Sequence, residues 1–158
     1  MKPLYRGIAV GVLQCLLVLS LAGKYAYDRE RLPRAWAKAV PFDPNLAIRG
    51  RYVSLTLEVD APAGSPPGYW ATLSVRNGRL VAEPVAFDSG VRLFRWGDDS
   101  WRILDPIAFF IPEHAQDPSR LPPGQELWVE VSVPRRGPPR PIRLAVKKDG
   151  VLTPLDLR

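Results

Sequence analysis

The segment Pro41–Val59 constrains the fold more than any other part of this chain, because an Asp-Pro turn and a glycine lead into a strand, Tyr52–Val59, that alternates between apolar and polar residues. One face would carry four aliphatic side chains: Val53, Leu55, Leu57 and Val59. The other face would carry Tyr52, Ser54, Thr56 and Glu58. A period of two is typical of a strand with one buried face. The segment therefore predicts that a β domain begins near Pro41.

Proline content limits the rest of the chain to short elements. There are 18 prolines among the 158 residues, against about 5% in an average protein. Proline ends helices and is excluded from central strands, so we expect short strands joined by many turns. The single cysteine, Cys15, excludes an intrachain disulfide. About 120 residues follow the N-terminal apolar segment, enough for one domain with its own core.

Further short apolar or alternating runs follow the first strand at near-regular spacing. They are Tyr69–Arg76, Arg79–Val85, Val91–Trp96, Trp101–Leu104, Ile107–Ile111, Leu127–Val133, Ile142–Lys147 and Val151–Leu155. Asn77-Gly78 separates two of these runs and is the strongest short hairpin signal. The pattern predicts a mainly β protein, whose domain at residues 41–158 is a compact antiparallel sandwich or barrel.

The N-terminal region is predicted to be a membrane anchor. After a short segment at residues 1–6, Gly7–Gly23 carries no charge. As a helix it spans about 26 Å, close to the roughly 30 Å of a bilayer's hydrocarbon core. Tyr5 and Tyr25 suit the two interfaces. The alternative is a cleaved signal peptide, for which Ser20-Leu21-Ala22 offers a cleavage pattern.

Residues 24–40 are predicted to form a juxtamembrane helical stalk. Its composition favours helix, but Pro33 should kink or stop the helix near Leu32. Basic side chains recur along the stalk: Arg29, Arg31, Arg34 and Lys38. They fit either a solvated stalk or contact with anionic headgroups.

Residues around the first strand resemble the signature of the GDYXXLXY-domain membrane proteins. The match begins with Pro41-Phe42-Asp43-Pro44 and continues through Gly50, Tyr52 and Leu55. Arg51 replaces the acidic residue of the signature, and Leu57 replaces its last tyrosine. A second patch, Phe109–Glu113, includes the Pro112-Glu113 pair, and the final hairpin, Leu127–Val146, is also similar.

The resemblance implies a single-pass membrane protein with an extracytoplasmic β domain and no assigned activity. It also implies a polytopic membrane protein as partner. Basic residues after the apolar segment outnumber those before it, and the positive-inside rule alone would reverse this orientation. A signal-type N-terminus, however, translocates the chain on its C-terminal side, so we expect the extracytoplasmic placement.

The residues of the motif also have structural roles that can be inferred without the family resemblance. Asp43 can cap a turn that Pro44 stiffens, and Gly50 supplies backbone freedom at the strand entrance. Tyr52 projects opposite the predicted core face, where it is a candidate contact residue.

Candidate catalytic groups are scarce in the sequence. The lone His114 has no cysteine beside it and makes a poor metal site. Phosphate-loop and dinucleotide motifs are missing. The tether and turn look like type I signal peptidases, but no serine lies between Lys24 and Gly50 to act as nucleophile. We therefore predict a non-enzymatic protein without cofactor or metal. The net charge of +6 comes without a nucleic-acid-binding module, so no nucleic-acid partner is expected.

Two tryptophans and a basic set complete the candidate partner surfaces. Trp70 and Trp128 fall opposite the inward residues of their strands and join Tyr52 as candidate contacts. The basic set comprises Arg135, Arg136, Arg140, Arg143, Lys147 and Lys148. It suits either a solvated face or an acidic partner or headgroup surface. The alternative function is a secreted or periplasmic β domain that binds a small molecule or glycan after signal-peptide cleavage.

Overall fold

A computed structural model describes residues 3–42, 52–86, 89–97, 100–115, 117–118 and 120–157. The chain divides into two units, Met1–Leu32 and Pro33–Arg158. The first unit contains one helix, α1, at Pro3–Arg31. Its segment Tyr5–Arg31 is long and apolar enough to cross a membrane, with a mean hydropathy of 1.8 in its most apolar window. The same length and composition also suit a signal sequence.

The helix ends where the sequence predicts, but the stalk beyond it is not helical. α1 stops at Arg31, two residues before Pro33. Residues Arg34–Pro41 instead form the first strand, β1, so the helical stalk predicted up to residue 40 is wrong in its second half. Alanines favour helix intrinsically, yet alternate residues here are buried against other strands: Ala35, Ala37 and Ala39. Tertiary pairing outweighs their weak propensity.

In the described part of the chain, nine further strands follow β1, close to the predicted runs. They are β2 Tyr52–Val59, β3 Gly68–Arg76, β4 Arg79–Pro84, β5 Val91–Trp96, β6 Ser100–Ile103, β7 Ile107–Phe110, β8 Gln125–Ser132, β9 Arg140–Lys148 and β10 Val151–Pro154. The turn between β3 and β4 has positive φ angles at Asn77 (51°) and Gly78 (72°). Those angles at both central residues confirm the predicted hairpin.

Six strands close into a barrel in the order β1-β4-β3-β5-β6-β2, and β2 pairs back onto β1. β1 and β4 run parallel, with Trp36 opposite Arg79. The other paired strands of the described sheet are antiparallel. The predicted mainly β, barrel-like fold behind an N-terminal helix is thus confirmed.

β1 closes the barrel because it changes partners along its length. Its first part, Arg34–Lys38, pairs with β8. Its last part, Ala39–Pro41, pairs with β2. The hairpins β8–β9 and β9–β10 extend the sheet from β1, and β7 pairs with β2. One strand therefore belongs both to the barrel and to the extension.

The core is aliphatic and follows the predicted alternation. All four inward residues of β2 are buried: Val53, Leu55, Leu57 and Val59. The inward residues of β8 are buried too: Leu127, Val129 and Val131, followed by Val133. On β9, Leu144 is buried, while Ile142 and Val146 are half-buried. The buried side chains confirm the inward assignments made for these strands, but β8 is also buried on its outward face, at Trp128, Glu130 and Ser132.

Candidate functional site

Pairing of β2 with its neighbours brings the described motif residues together. Pro41 of β1 lies opposite Leu55 of β2, and Tyr52 of β2 lies opposite Phe110 of β7. Pro112 and Glu113 follow β7 within three residues, so the second family-like patch lies beside the first. Three signature residues lie outside the described residues: Asp43, Pro44 and Gly50.

Three aromatic residues lie at this end of β2, and we term them the aromatic patch: Phe42, Tyr52 and Phe110. Phe42 is 52% exposed and Phe110 is 70% exposed. The rings of Tyr52 and Phe110 lie with their centroids 6.1 Å apart. The Phe42 N–H donates to the Ser54 carbonyl at 2.8 Å, which continues the β1–β2 ladder. Backbone pairing thus positions all three residues on the outer face of the sheet.

The structure separates the three predicted contact residues. Tyr52 is half-buried within the aromatic patch. Trp70 is half-buried on β3, with the Arg92 guanidinium 5.8 Å from its ring centroid. Trp128 is only 8% exposed, so its prediction as a partner surface is corrected. It does point away from the core, but neighbouring side chains cover it.

Those neighbours are Glu126 and Lys147. The Trp128 indole N–H donates to Glu126 Oε2 at 3.1 Å. Lys147 Nζ lies 4.7 Å from the centre of the indole ring. Strand alternation correctly placed Trp128 on the outer face, yet alternation does not show what covers that face.

Phe42 and Phe110 were not predicted as contact residues, although the sequence held a usable signal. Phe110 follows Phe109 in a short strand, so one of the two rings must face outward. The exposure of Phe42 depends on the continuation of β1 alongside β2. The helical stalk that the sequence predicts over residues 24–40 leaves no strand that could continue alongside β2.

Each of the five tryptophans has a cationic side chain within 6 Å of its ring centre. The pairs are Trp36–Arg143, Trp70–Arg92, Trp96–Arg102, Trp101–Arg95 and Trp128–Lys147. Such contacts contribute about 0.5–1 kcal/mol each at exposed sites. Because cations already lie over these rings, the tryptophans are arranged more like structural elements of the barrel wall than like open platforms for sugar rings.

A polar pocket of about 260 Å³ opens where β1, β2, β4, β6 and β8 meet. Four of its charged side chains form two ion pairs. Lys38 Nζ lies 2.7 Å from Glu126 Oε1. Arg79 donates two hydrogen bonds to Asp60, at 2.7 and 2.8 Å. The Lys38 hydrogen bond, followed by that from Trp128, lowers the pKa of Glu126 below its ordinary value. A carboxyl group kept ionised in this way is a poor general acid at neutral pH.

The Glu126 ion pair predicts a small acid-dependent loss of stability. The folded pKa of Glu126 is lowered, so its stabilisation is present above the unfolded pKa of about 4.5 and is lost as pH falls through the folded pKa. Both partners are more than a third exposed, and we expect Glu126→Gln to lower the free energy of unfolding by less than about 1 kcal/mol at pH 7. Urea unfolding at pH 7 and pH 3 measures this. A difference that persists undiminished at pH 3 would contradict it.

Five of the six residues of the C-terminal basic set divide into two groups. Arg143 pairs with the buried Glu130 at 2.6 Å and lies over Trp36, and Lys147 lies over Trp128. These two side chains therefore have partners within the sheet. Arg135 and Arg136 lie in the exposed turn between β8 and β9, and Lys148 lies at the far end of β9.

His114 is exposed, and no group of three or more metal-ligating side chains was found among the described residues. Comparison of the chain with family models, curated proteins and solved structures finds no match in any of the three. The arrangement that the described part of the chain offers is therefore an anchor-like helix, a filled β barrel and an exposed aromatic patch.

Proposed function

We propose that this chain is a non-enzymatic, single-pass membrane protein whose β domain lies on the extracytoplasmic side. It would act as an accessory or assembly partner of a polytopic membrane protein, as its resemblance to the GDYXXLXY-domain proteins implies. The observation that carries this proposal is a long, apolar N-terminal helix followed by a β domain with a filled core. Such a helix suits retention in a bilayer, and such a domain suits protein contact.

The aromatic patch is our candidate for the partner contact. Tyrosine and phenylalanine are enriched at protein interfaces, where exposed rings supply large contact areas. Phe42 and Phe110 are both more than half exposed. Tyr52 is a residue of the family-like motif, and its ring lies beside that of Phe110. A partner that binds the patch would therefore also contact the motif.

The position of the patch along β1 limits the kind of contact. Phe42 lies eight residues after Arg34, where β1 begins. At about 3.3 Å per residue, that separation is about 26 Å. The patch is thus at the end of β1 opposite to the point where the chain enters the β domain. We therefore propose that an extracytoplasmic loop or domain of the partner, rather than a lipid-embedded helix, binds the patch.

Purification of C-terminally tagged, full-length protein from detergent-solubilised membranes tests the proposal. Mass spectrometry identifies the co-purifying proteins and the N-terminus of the intact chain. We expect an uncleaved chain with one polytopic protein in near-stoichiometric amount. A chain that begins near Gly23, soluble and alone, would refute the anchored accessory role. It would favour the cleaved domain that binds a small molecule or glycan.

Substitution of the aromatic patch adds a site-specific prediction. We expect Phe42→Ser with Phe110→Ser to reduce recovery of the partner at least tenfold, because a hot-spot residue contributes about 2 kcal/mol. Val151→Ser is the matched control, since Val151 is 65% exposed on the edge strand β10. Quantitative mass spectrometry of the purified complexes gives the ratio. Equal recovery from the patch and control variants would remove the patch from the interface.

A further inference from the structure

The β8–β9 turn carries two arginines at the point where the chain enters the β domain. The Val133 N–H, at the start of the turn, donates to the Pro33 carbonyl at 2.9 Å. Pro33 is the first residue of the β unit. Arg34 then pairs with Ser132, the last residue of β8. The turn is thereby fixed beside the entry point by backbone hydrogen bonds.

Arg135 and Arg136 are the charged groups of this turn that project into solvent. Both are exposed, and among the described residues neither takes part in an ion pair. This distinguishes them from Arg143, which is paired with Glu130. Two adjacent guanidinium groups that have no carboxylate partner among the described residues produce a local positive potential.

A groove of about 430 Å³ lies beside the two arginines. One side consists of residues of the turn, and the other includes Ser89 and Gly90. Guanidinium groups bind phosphate oxygens in a bidentate, planar geometry, for which Arg is better suited than Lys. The groove therefore combines space, positive charge and the donors that a phosphate diester requires.

We propose that the β8–β9 turn binds the phosphate headgroups of anionic lipids through Arg135 and Arg136. The inference rests on the proposed function, in which α1 crosses the bilayer.

Only Leu32 and Pro33 separate the last helical residue from β1, and so short a link reaches no more than about 7–10 Å. From Lys24 to Arg31 the helix rises about 12 Å. The headgroup layer that it passes is about 5–8 Å thick, and charges beyond that layer interact with it over a Debye length of about 8 Å. By these lengths Arg31 lies about 4–7 Å beyond the headgroup layer, and the entry point, at most about 7 Å farther along the chain, is within about two Debye lengths of the headgroups.

Fluorescence quenching of the full-length protein in lipid nanodiscs tests this. In a Cys15→Ser background, a fluorophore on Pro138→Cys reports the position of the turn, and a nitroxide on the lipid headgroups is the quencher. We expect stronger quenching in discs with 30% phosphatidylglycerol than in phosphatidylcholine alone. The difference should disappear at high salt, because exposed charges are then screened.

Charge removal supplies the decisive comparison. We expect Arg135→Ser with Arg136→Ser to lower the ratio of docked to undocked turns about 30-fold, at about 1 kcal/mol for each basic residue near an anionic surface. Lys148→Ser with Arg120→Ser removes the same charge at two other exposed positions and should leave quenching unchanged. Quenching that is equal in both lipids, or equal in both double variants, would overturn the proposal.

Failure of the anchor and failure of docking are distinguished by a second measurement, on the membranes from which the protein is purified. Alkaline carbonate extraction reports whether the chain is integral to the membrane, irrespective of the turn. A chain that stays in the membrane without lipid-dependent quenching refutes the headgroup site alone. A chain that is extracted refutes the anchor, and the headgroup site with it.

Discussion

Replacement of Gly90 with alanine is expected to destabilise the β domain by about 4 kcal/mol. Gly90 has a φ of +115°, a conformation that costs other residues about 1–3 kcal/mol. A Cβ built at this position would lie 2.2 Å from the Ala71 carbonyl oxygen and 2.8 Å from its carbon. These are backbone atoms of β3, which pairs with β5 immediately after Gly90, and such overpacking costs about a further 1–3 kcal/mol. The loss is a large part of the 5–15 kcal/mol that stabilises a typical domain.

Gly64→Ala is the matched control for Gly90→Ala. Gly64 also has a positive φ, +80°, but a Cβ there would meet no atom within 4 Å. Gly64→Ala should therefore lower the free energy of unfolding only by the cost of a left-handed backbone conformation, about 1–2 kcal/mol. Urea unfolding of the full-length protein in detergent, followed by tryptophan fluorescence, measures both, and all five tryptophans lie in the β unit. If the two variants lost equal stability, the close approach at Gly90 would not constrain the fold.

Leu55→Ala is expected to cost about 3 kcal/mol, within the 2–5 kcal/mol typical of truncating a buried leucine. Leu55 has no solvent exposure. It lies where three strands meet, opposite Pro41 of β1 and Ile107 of β7. Loss of its side chain leaves a cavity at the point where the barrel closes. Its position in the family-like motif is thus explained by packing.

Tyr52→Phe tests whether the outer face of β2 contributes to core packing, as Leu55 on its inner face does. Tyr52 is half-buried on the outer face of β2, so removal of its hydroxyl should change the free energy of unfolding by less than about 1 kcal/mol. The same unfolding measurement compares it with Leu55→Ala. A Tyr52→Phe variant as unstable as Leu55→Ala would show that the outer face of β2 is part of the core packing, and that the aromatic patch is not a free surface.

Local sequence rules predicted much of the fold because they act over a few residues. Proline cannot continue a helix, and the helix ended two residues before Pro33. Asn77 and Gly78 tolerate positive φ, and the hairpin formed there. Alternation predicted the inward, buried side chains of β2 and β8, although it did not predict that the other face of β8 is buried too. In each case the determining interactions lie within one turn or one strand.

The candidate site was harder to predict, because strand alternation defines two faces without showing what covers either. It placed both Tyr52 and Trp128 opposite the core. Only the pairing of β8 with β9 places Lys147 near Trp128 and leaves that ring 8% exposed. Tyr52, on β2, instead lies opposite the exposed Phe110. The difference depends on which strand becomes the neighbour.

By itself, the sequence determined an apolar helix at the N-terminus, its end near Pro33, and a domain of short alternating strands. The tertiary structure decided that residues 34–41 are a strand, that this strand closes a six-stranded barrel, and that the rings of Tyr52 and Phe110 lie together. The physical reason is that helix termini and turns are fixed by local sterics. Barrel closure instead depends on hydrogen bonds between strands far apart in sequence, whose pairing no local pattern specifies.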